Sequence, residues 1–213
     1  PRVVNKPIEV LCRIDDLLPA NIKGDPGRFR QVLVNLLGNA AKFTEKGELE
    51  LSIEVAEETP DTITILSKIR DTGIGIPENK FTSIFEAFKQ ADGTTTRKYG
   101  GTGLGLTICR KIAGLMNGKV WVESILGVGT TFLFTAVMQK SSLQLSHRPT
   151  VENLKGKKVL VVDDNRANNE ILRGMLEKAE MQVMTLLDGT TVIAELIRAE
   201  KDAQPFDVAI LDL

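Results

Sequence analysis

The sequence predicts an α/β protein in two parts, on three observations. Residues 1–139 interleave β-rich runs with helices that carry an apolar stripe. Residues 140–156 are polar, aperiodic and proline-containing, as an interdomain linker is. From residue 157 strand and helix alternate strictly, an order that predicts a parallel sheet of right-handed βαβ units.

In chain order, Val4–Asp15 holds the β-rich run Ile8-Glu-Val-Leu-Cys-Arg-Ile. A helix is expected from Asp25, which can cap it, with Pro26 suited to its first turn. Phe29, Val32, Leu33, Leu36, Leu37 and Ala40 form its buried stripe. Gly47–Val55 and Thr62–Arg70 alternate apolar and polar residues, as two strands joined by the turn Glu57–Asp61. Phe81–Phe88 reads as a short helix and 89–102 as a mobile loop. Leu104–Met116 reads as helix again, ended by Asn117-Gly118. Val120–Glu123 and Thr130–Met138 close this part as a strand pair. Beyond the linker, strands are expected at 158–162, 183–187 and 208–211 and helices at 167–179 and 190–198, in sheet order 2-1-3. There are no internal repeats.

The 213 residues suffice for two modest domains with real cores. An apolar share of 42%, a charged share of 26% and a net charge of −1 are ordinary, and give nucleic acid or an anionic membrane no basic surface to bind. No apolar run approaches the roughly 20 residues of a bilayer span, and no signal peptide is apparent. Cys12 and Cys109 fit no metal or disulfide pattern, and each is read as a small buried apolar residue. The composition is that of a protein of the reducing cytoplasm.

Two glycine clusters stand out, Asp71-Thr-Gly-Ile-Gly-Ile-Pro77 and Gly101-Thr-Gly-Leu-Gly-Leu106. Glycine lets backbone amides approach a ligand, commonly a phosphate. Neither cluster is a P-loop, since no Gly-Lys-Ser/Thr follows, and neither completes Gly-x-Gly-x-x-Gly. The helix that precedes them adds an unusual polar stripe: Gln31, Asn35, Asn39 and Lys42 recur at helical spacing.

With these residues in order, residues 3–138 resemble the catalytic ATP-binding domain of sensor histidine kinases. Asn35-Leu-Leu-Gly-Asn39-Ala-Ala-Lys42 is similar to the family's N box, 71–77 to its G1 box, 85–88 to its F box and 101–106 to its G2 box. The resemblance implies the Bergerat fold, a mixed sheet with helices on one face, and ATP with Mg²⁺ as ligands. It implies that Asn39 holds the metal and Lys42 offsets phosphate charge. Asp71 would accept a hydrogen bond from the adenine amine, with Gly73, Gly75 and Ile76 beneath the base. Gly101, Thr102, Gly103, Leu104, Gly105 and Leu106 would lead phosphate to a helix N-terminus, where free amides and the helix dipole favour anions. Phe88 is the end of the F box, and Asp92–Tyr99 would be a lid. Gln90, Arg97 and Lys98 are candidates near the phosphates, the two cations being equally readable as solvated surface.

Hydrolases of the same superfamily carry a glutamate where this chain has Asn35, and an amide has no proton affinity for activating water. The resemblance therefore implies a protein-histidine kinase with Asn35, Lys42 and Gln90 at its catalytic centre. In phosphoryl transfer, positioning and charge neutralisation carry most of the catalysis. The lone histidine, His147, lies in the linker two residues before Pro149, where a helical phosphoacceptor does not fit. The acceptor histidine is expected on a dimerisation domain upstream of Pro1, and the parent is expected to be a homodimer, with any membrane anchor also upstream. A related ATPase and a non-catalytic nucleotide-binding docking module remain as alternatives.

Residues 157–213 resemble the first half of a response-regulator receiver domain, of flavodoxin-like fold, through Val161-Val-Asp-Asp-Asn165, Asp188-Gly189 and Ile210-Leu-Asp212-Leu. The resemblance implies Mg²⁺ on Asp163, Asp164 and Asp212, with Asp212 as phosphoacceptor, in two-component signalling with a receiver or histidine phosphotransfer protein. Because the chain stops at Leu213, before the later strands that carry a receiver's hydroxyl residue and lysine, this half is expected to be a truncated receiver that accepts phosphate poorly and leaves its third strand as an open edge.

Overall fold

The computed structural model describes residues 6–15, 17–19, 21–88, 103–141 and 154–212. The chain divides into two compact units, Pro1–Leu145 and Ser146–Leu213.

The first unit is a mixed sheet. Its strands are β1 (Ile8–Ile14), β2 (Ile22–Lys23), β3 (Gly47–Glu58), β4 (Thr62–Asp71), β5 (Val120–Ile125) and β6 (Gly129–Lys140). They run in the order β1-β3-β4-β6-β2, with β5 also on β6. Only the β1–β3 pairing is parallel. β3 and β6 extend beyond the residues that alternation predicts, and β3 absorbs a bulge between Val55 and Glu57. β2, two residues long, has no periodicity to announce it.

Helix α1 (Pro26–Phe43) starts as expected, the Asp25 carboxylate accepting from the Arg28 amide at 2.9 Å. Val32, Leu36 and Ala40 are at most 1% exposed, and Phe29, Leu33 and Leu37 pack around them. Full burial of a residue such as Leu36 contributes roughly 1.5–3 kcal/mol. The helix C-terminus receives a partner from far up the chain. The Lys6 ammonium donates to the Ala41 carbonyl at 2.7 Å and the Thr44 carbonyl at 2.8 Å. Helix α2 (Gly105–Leu115) packs against α1 through Cys109. It ends where Asn117 turns to φ 53° and the Gly118 amide returns to the Ala113 carbonyl.

One face of the central strand pair forms the core. Ile63, Ile65, Ser67 and Ile69 on β4 lie opposite Met138, Ala136, Phe134 and Phe132 on β6, all buried. The row ends in a polar pair, Asp71 opposite Thr130, also buried. A functional site built there begins where the apolar core stops.

Two expectations fail in this unit. Phe81–Phe88 is not an α-helix: it holds one 3₁₀ turn, Ser83–Phe85, with another just before it at Glu78–Lys80, and Phe88 takes φ 62°. Eight residues are too few to sustain an α-helix on local bonds. Cys12 is exposed because β1 is an edge strand, whereas Cys109 is fully buried.

The second unit holds three parallel strands, β7 (Lys158–Val162), β8 (Gln182–Leu186) and β9 (Val208–Leu211), in the order β8-β7-β9. Helix α3 (Arg166–Lys178) follows β7, and a 3₁₀ turn at Gly189–Thr191 leads into α4 (Val192–Lys201). Val159, Leu160 and Val161 are fully buried, as a central parallel strand requires. Val208 and Leu211 on β9 are 45% and 51% exposed.

Candidate functional site

In the first unit the site is assembled around Asp71, the last residue of β4, which is 5% exposed. Its carboxylate accepts from the Gly73 amide at 2.8 Å. Burial pushes its pKa above the ordinary aspartate value, against the lowering effect of backbone hydrogen bonds at Gly73 and Thr130 and of the Arg70 charge. A side chain at position 73 would place its Cβ 2.5 Å from the Phe43 carbonyl oxygen and 2.8 Å from the Asp71 carboxylate. Glycine is required there by space.

The following loop is pressed onto the β5–β6 hairpin. Gly75 is buried with φ +70°, and a Cβ on it would strike the Ile125 carbonyl. The Gly127 amide donates to the Ile74 carbonyl at 2.8 Å, and the Ile76 amide to the Ser124 hydroxyl at 2.8 Å. The same loop meets the end of α1, the Ile74 amide donating to the Phe43 carbonyl at 3.4 Å.

On α1, Asn35, Asn39 and Lys42 are all half-buried. The Cys109 thiol donates to the Val32 carbonyl at 3.9 Å, and burial pushes its pKa up to about 11 against the lowering effect of the Asn35 side chain. The Lys42 ammonium lies 4.8 Å from the centre of the Phe43 ring. Phe85, 7% exposed, packs edge-on against Phe132, and its carbonyl accepts from the Thr107 hydroxyl at 3.1 Å, tying this turn to α2. Gly103 takes φ 69° just before α2, where Leu104 provides no side-chain cap, so the amides of the first turn have no capping side chain. Gly105 and Leu106 lie in that first turn, and Ile76 is half-buried. Phe88 is 77% exposed. Gln90, Arg97, Lys98, Gly101 and Thr102 lie outside the described residues, as does His147.

The structure thus brings the 71–77 loop, the end of α1 and the β5–β6 hairpin together. Sequence reasoning missed the hairpin's share. Ser124 lies just past the expected Val120–Glu123 strand and Thr130 begins the next, and only their register beside Asp71 distinguishes them.

In the second unit the ligand oxygens of Asp163, Asp164 and Asp212 lie within 4.8 Å of one another. They line a cleft of about 200 Å³ together with Val162, Leu187 and Gly189. Asp163 is buried and accepts from the Asn165 amide at 2.8 Å, while Asn165 itself caps α3 through the Ala167 amide. Asn169, 4% exposed, donates to the carbonyls of Asp163 and Leu186 and so fixes the β7–α3 turn to the end of β8. Sequence reasoning did not single it out. Asp188 is held below the usual carboxylate range by the Thr190 amide and hydroxyl. Three carboxylates suit a hard cation. Oxygens around Mg²⁺ at about 2.1 Å stand roughly 3–4 Å apart, so this cluster needs only a small rotamer adjustment.

Among the described residues no helix is long and apolar enough to cross a membrane.

A family model described as the histidine kinase-, DNA gyrase B- and HSP90-like ATPase matches residues 24–140. The chain belongs to that family. It is 38% identical over 201 residues to the autoinducer 2 sensor kinase/phosphatase LuxQ of Vibrio vulnificus, covering 92% of this chain and 23% of that protein. It is 33% identical over 226 residues to the peroxide stress-activated histidine kinase mak2 of Schizosaccharomyces pombe, covering 100% and 10%. Among solved structures, full-length ShkA in complex with AMPPNP matches with a TM-score of 0.72 and 26% identity, covering 100% of this chain and 50% of that one. The chain therefore spans 10% to 23% of the length of these two curated relatives.

Proposed function

We propose, for this histidine kinase-, gyrase- and HSP90-like ATPase unit, that residues 1–139 bind ATP and transfer its γ-phosphoryl group to a histidine on a separate dimerisation domain, as part of a hybrid sensor kinase. The observation that carries this reading is the buried Asp71 carboxylate. It lies at the end of the core, faced by no cation on its own loop, beside glycines that let the 73–77 loop pack tightly against the end of α1 and the β5–β6 hairpin. A buried carboxylate with backbone donors on one side is suited to accept from an exocyclic amine such as that of adenine. Guanine presents a carbonyl at the same place and would be repelled.

Asn39 and Lys42, one helical turn apart near the end of α1, would meet the polyphosphate end, and the first turn of α2 supplies amides to it. A bound Mg²⁺ would neutralise phosphate charge, with the Asn39 amide oxygen among its ligands. Asn35 has an amide and no basic group to activate water, which favours transfer to an external nucleophile over hydrolysis. Gln90, Arg97, Lys98, Gly101 and Thr102 complete the phosphate side in this reading.

We further propose that residues 157–213 are the first half of a receiver domain, with Asp163, Asp164 and Asp212 holding Mg²⁺ and Asp212 the phosphoacceptor of the relay. The converging carboxylates and the β8-β7-β9 order support it.

The test is to mix the chain with γ-labelled ATP and the dimerisation domain of a related hybrid kinase. Label on that domain's histidine, lost with Asp71→Ala, is expected. Steady phosphate release with no transfer would instead identify an ATPase.

A further inference from the structure

Three strands bring a transverse row of polar residues to the edge of the core. Ser124 on β5 lies opposite Thr130 on β6, and Thr130 lies opposite Asp71 on β4. Directly paired residues share a face of the sheet, so all three side chains are on the side where Asp71 is buried. The Ser124 hydroxyl has three partners. It donates to the Gly129 carbonyl at 2.7 Å, accepts from the Ile76 amide at 2.8 Å, and lies 3.0 Å from the Thr130 hydroxyl.

The partners belong to two walls around Asp71, the loop that leaves it and the start of β6. Ile76 is in the loop that leaves Asp71. Gly129, at φ +148°, packs so closely that a Cβ there would strike the Asp71 carbonyl. Thr130 is the residue directly opposite Asp71 in the β4–β6 pairing, and its backbone is among the groups that lower the Asp71 pKa. Beside the Gly127–Ile74 bond, this hydroxyl ties the 73–77 loop to the hairpin, whose strand β6 is paired with Asp71.

We propose that Ser124 is a positioning residue for base recognition, its hydroxyl coupling the 73–77 loop to the β5–β6 hairpin so that the Asp71 carboxylate is held at the angle that accepts from adenine. This rests on the assignment of Asp71 as the adenine reader. Losing the hydroxyl frees Ile76 and Gly129 to separate, and the carboxylate loses its fixed direction. Discrimination between bases suffers while the phosphate contacts, on α1 and α2, stay as they are.

The experiment is calorimetric titration of the full chain with Mg²⁺ and either AMPPNP or GMPPNP, comparing the ratio of the two Kd values. Ser124→Ala is expected to reduce the preference for the adenine nucleotide about tenfold, the scale of one lost buried hydrogen bond. Ser124→Thr, which keeps the hydroxyl, should retain the native ratio. Ser124→Cys, nearly isosteric with a weak acceptor, should behave as Ser124→Ala and serves if the alanine variant does not fold. An unchanged ratio in Ser124→Ala or Ser124→Cys, including equal weakening of both ligands, overturns the coupling so long as Asp71→Ala abolishes the preference. Retained preference in Asp71→Ala overturns the assignment of Asp71 itself, and the coupling with it.

Discussion

Asp71 in the first unit and Asp163 in the second have the same local geometry. Each follows a strand at the centre of its sheet, each is buried, and each accepts from the amide two residues on at 2.8 Å. What surrounds them differs. Position 73 is a glycine that no side chain could replace without meeting the Phe43 carbonyl, whereas position 165 is an asparagine whose side chain caps α3. Among the described residues Asp71 belongs to no group of three converging ligand residues, whereas Asp163 does. On the proposed readings, the same turn would serve a neutral donor in one unit and a cation in the other.

The largest test of this contrast is Gly73→Ala. Its methyl must displace backbone, so a loss of about 2–3 kcal/mol and at least a hundredfold in AMPPNP affinity is expected. Asn165→Ala at the equivalent position removes only a cap, about 1 kcal/mol, with nucleotide affinity unchanged. Chemical denaturation and calorimetry measure both. Equal costs at the two sites would erase the distinction.

A medium effect comes from charge. The Asp71 pKa is raised in the folded state, so its contribution to stability is complete below the ordinary value of 3.8 and is lost as pH rises through the folded value. Asp71→Asn should therefore raise the Tm of the first unit at neutral pH by about 2–4 °C while weakening AMPPNP at least tenfold. The Tm advantage should shrink in melts taken below pH 3.8. A lower Tm at neutral pH would show that the carboxylate stabilises the fold rather than serving a ligand at its expense.

The smallest effect concerns the acidic cluster. Without nucleotide, Mg²⁺ at ten times its Kd should stabilise the second unit by about 1.4 kcal/mol, and EDTA should remove the gain. Asp212→Asn should abolish that response and leave the first unit's melting unchanged. A magnesium response that survives Asp212→Asn would place the ion elsewhere.

Much of this architecture was legible in the chain. The α1 stripe, the Asp25 cap and the 2-1-3 strand order follow from periodicity and alternation, which are local. The candidate carboxylates were visible because Asp71 ends a strand and Asp163, Asp164 and Asp212 follow directly on strands. What could not be read depends on register or distance. Ser124 gains its role from facing Thr130 across a hairpin, Lys6 from carbonyls 35 to 38 residues away, and Asn169 from two carbonyls on separate segments. Cys12 was misjudged because its sequence does not say that β1 is an edge. The Phe81–Phe88 segment was misjudged because its apolar residues serve the core one at a time, through Ile84 and Phe85, and not as a helical face.

The long reach of Lys6 has an electrostatic consequence. A helix C-terminus carries a partial negative charge, a poor neighbour for any anion. Asn39 and Lys42 sit at that end of α1, and the Lys6 ammonium covers two of its terminal carbonyls. On the proposed reading, a highly charged ligand arriving at Lys42 would meet a helix end already screened by a second cation, which offsets part of the repulsion that the backbone would otherwise exert.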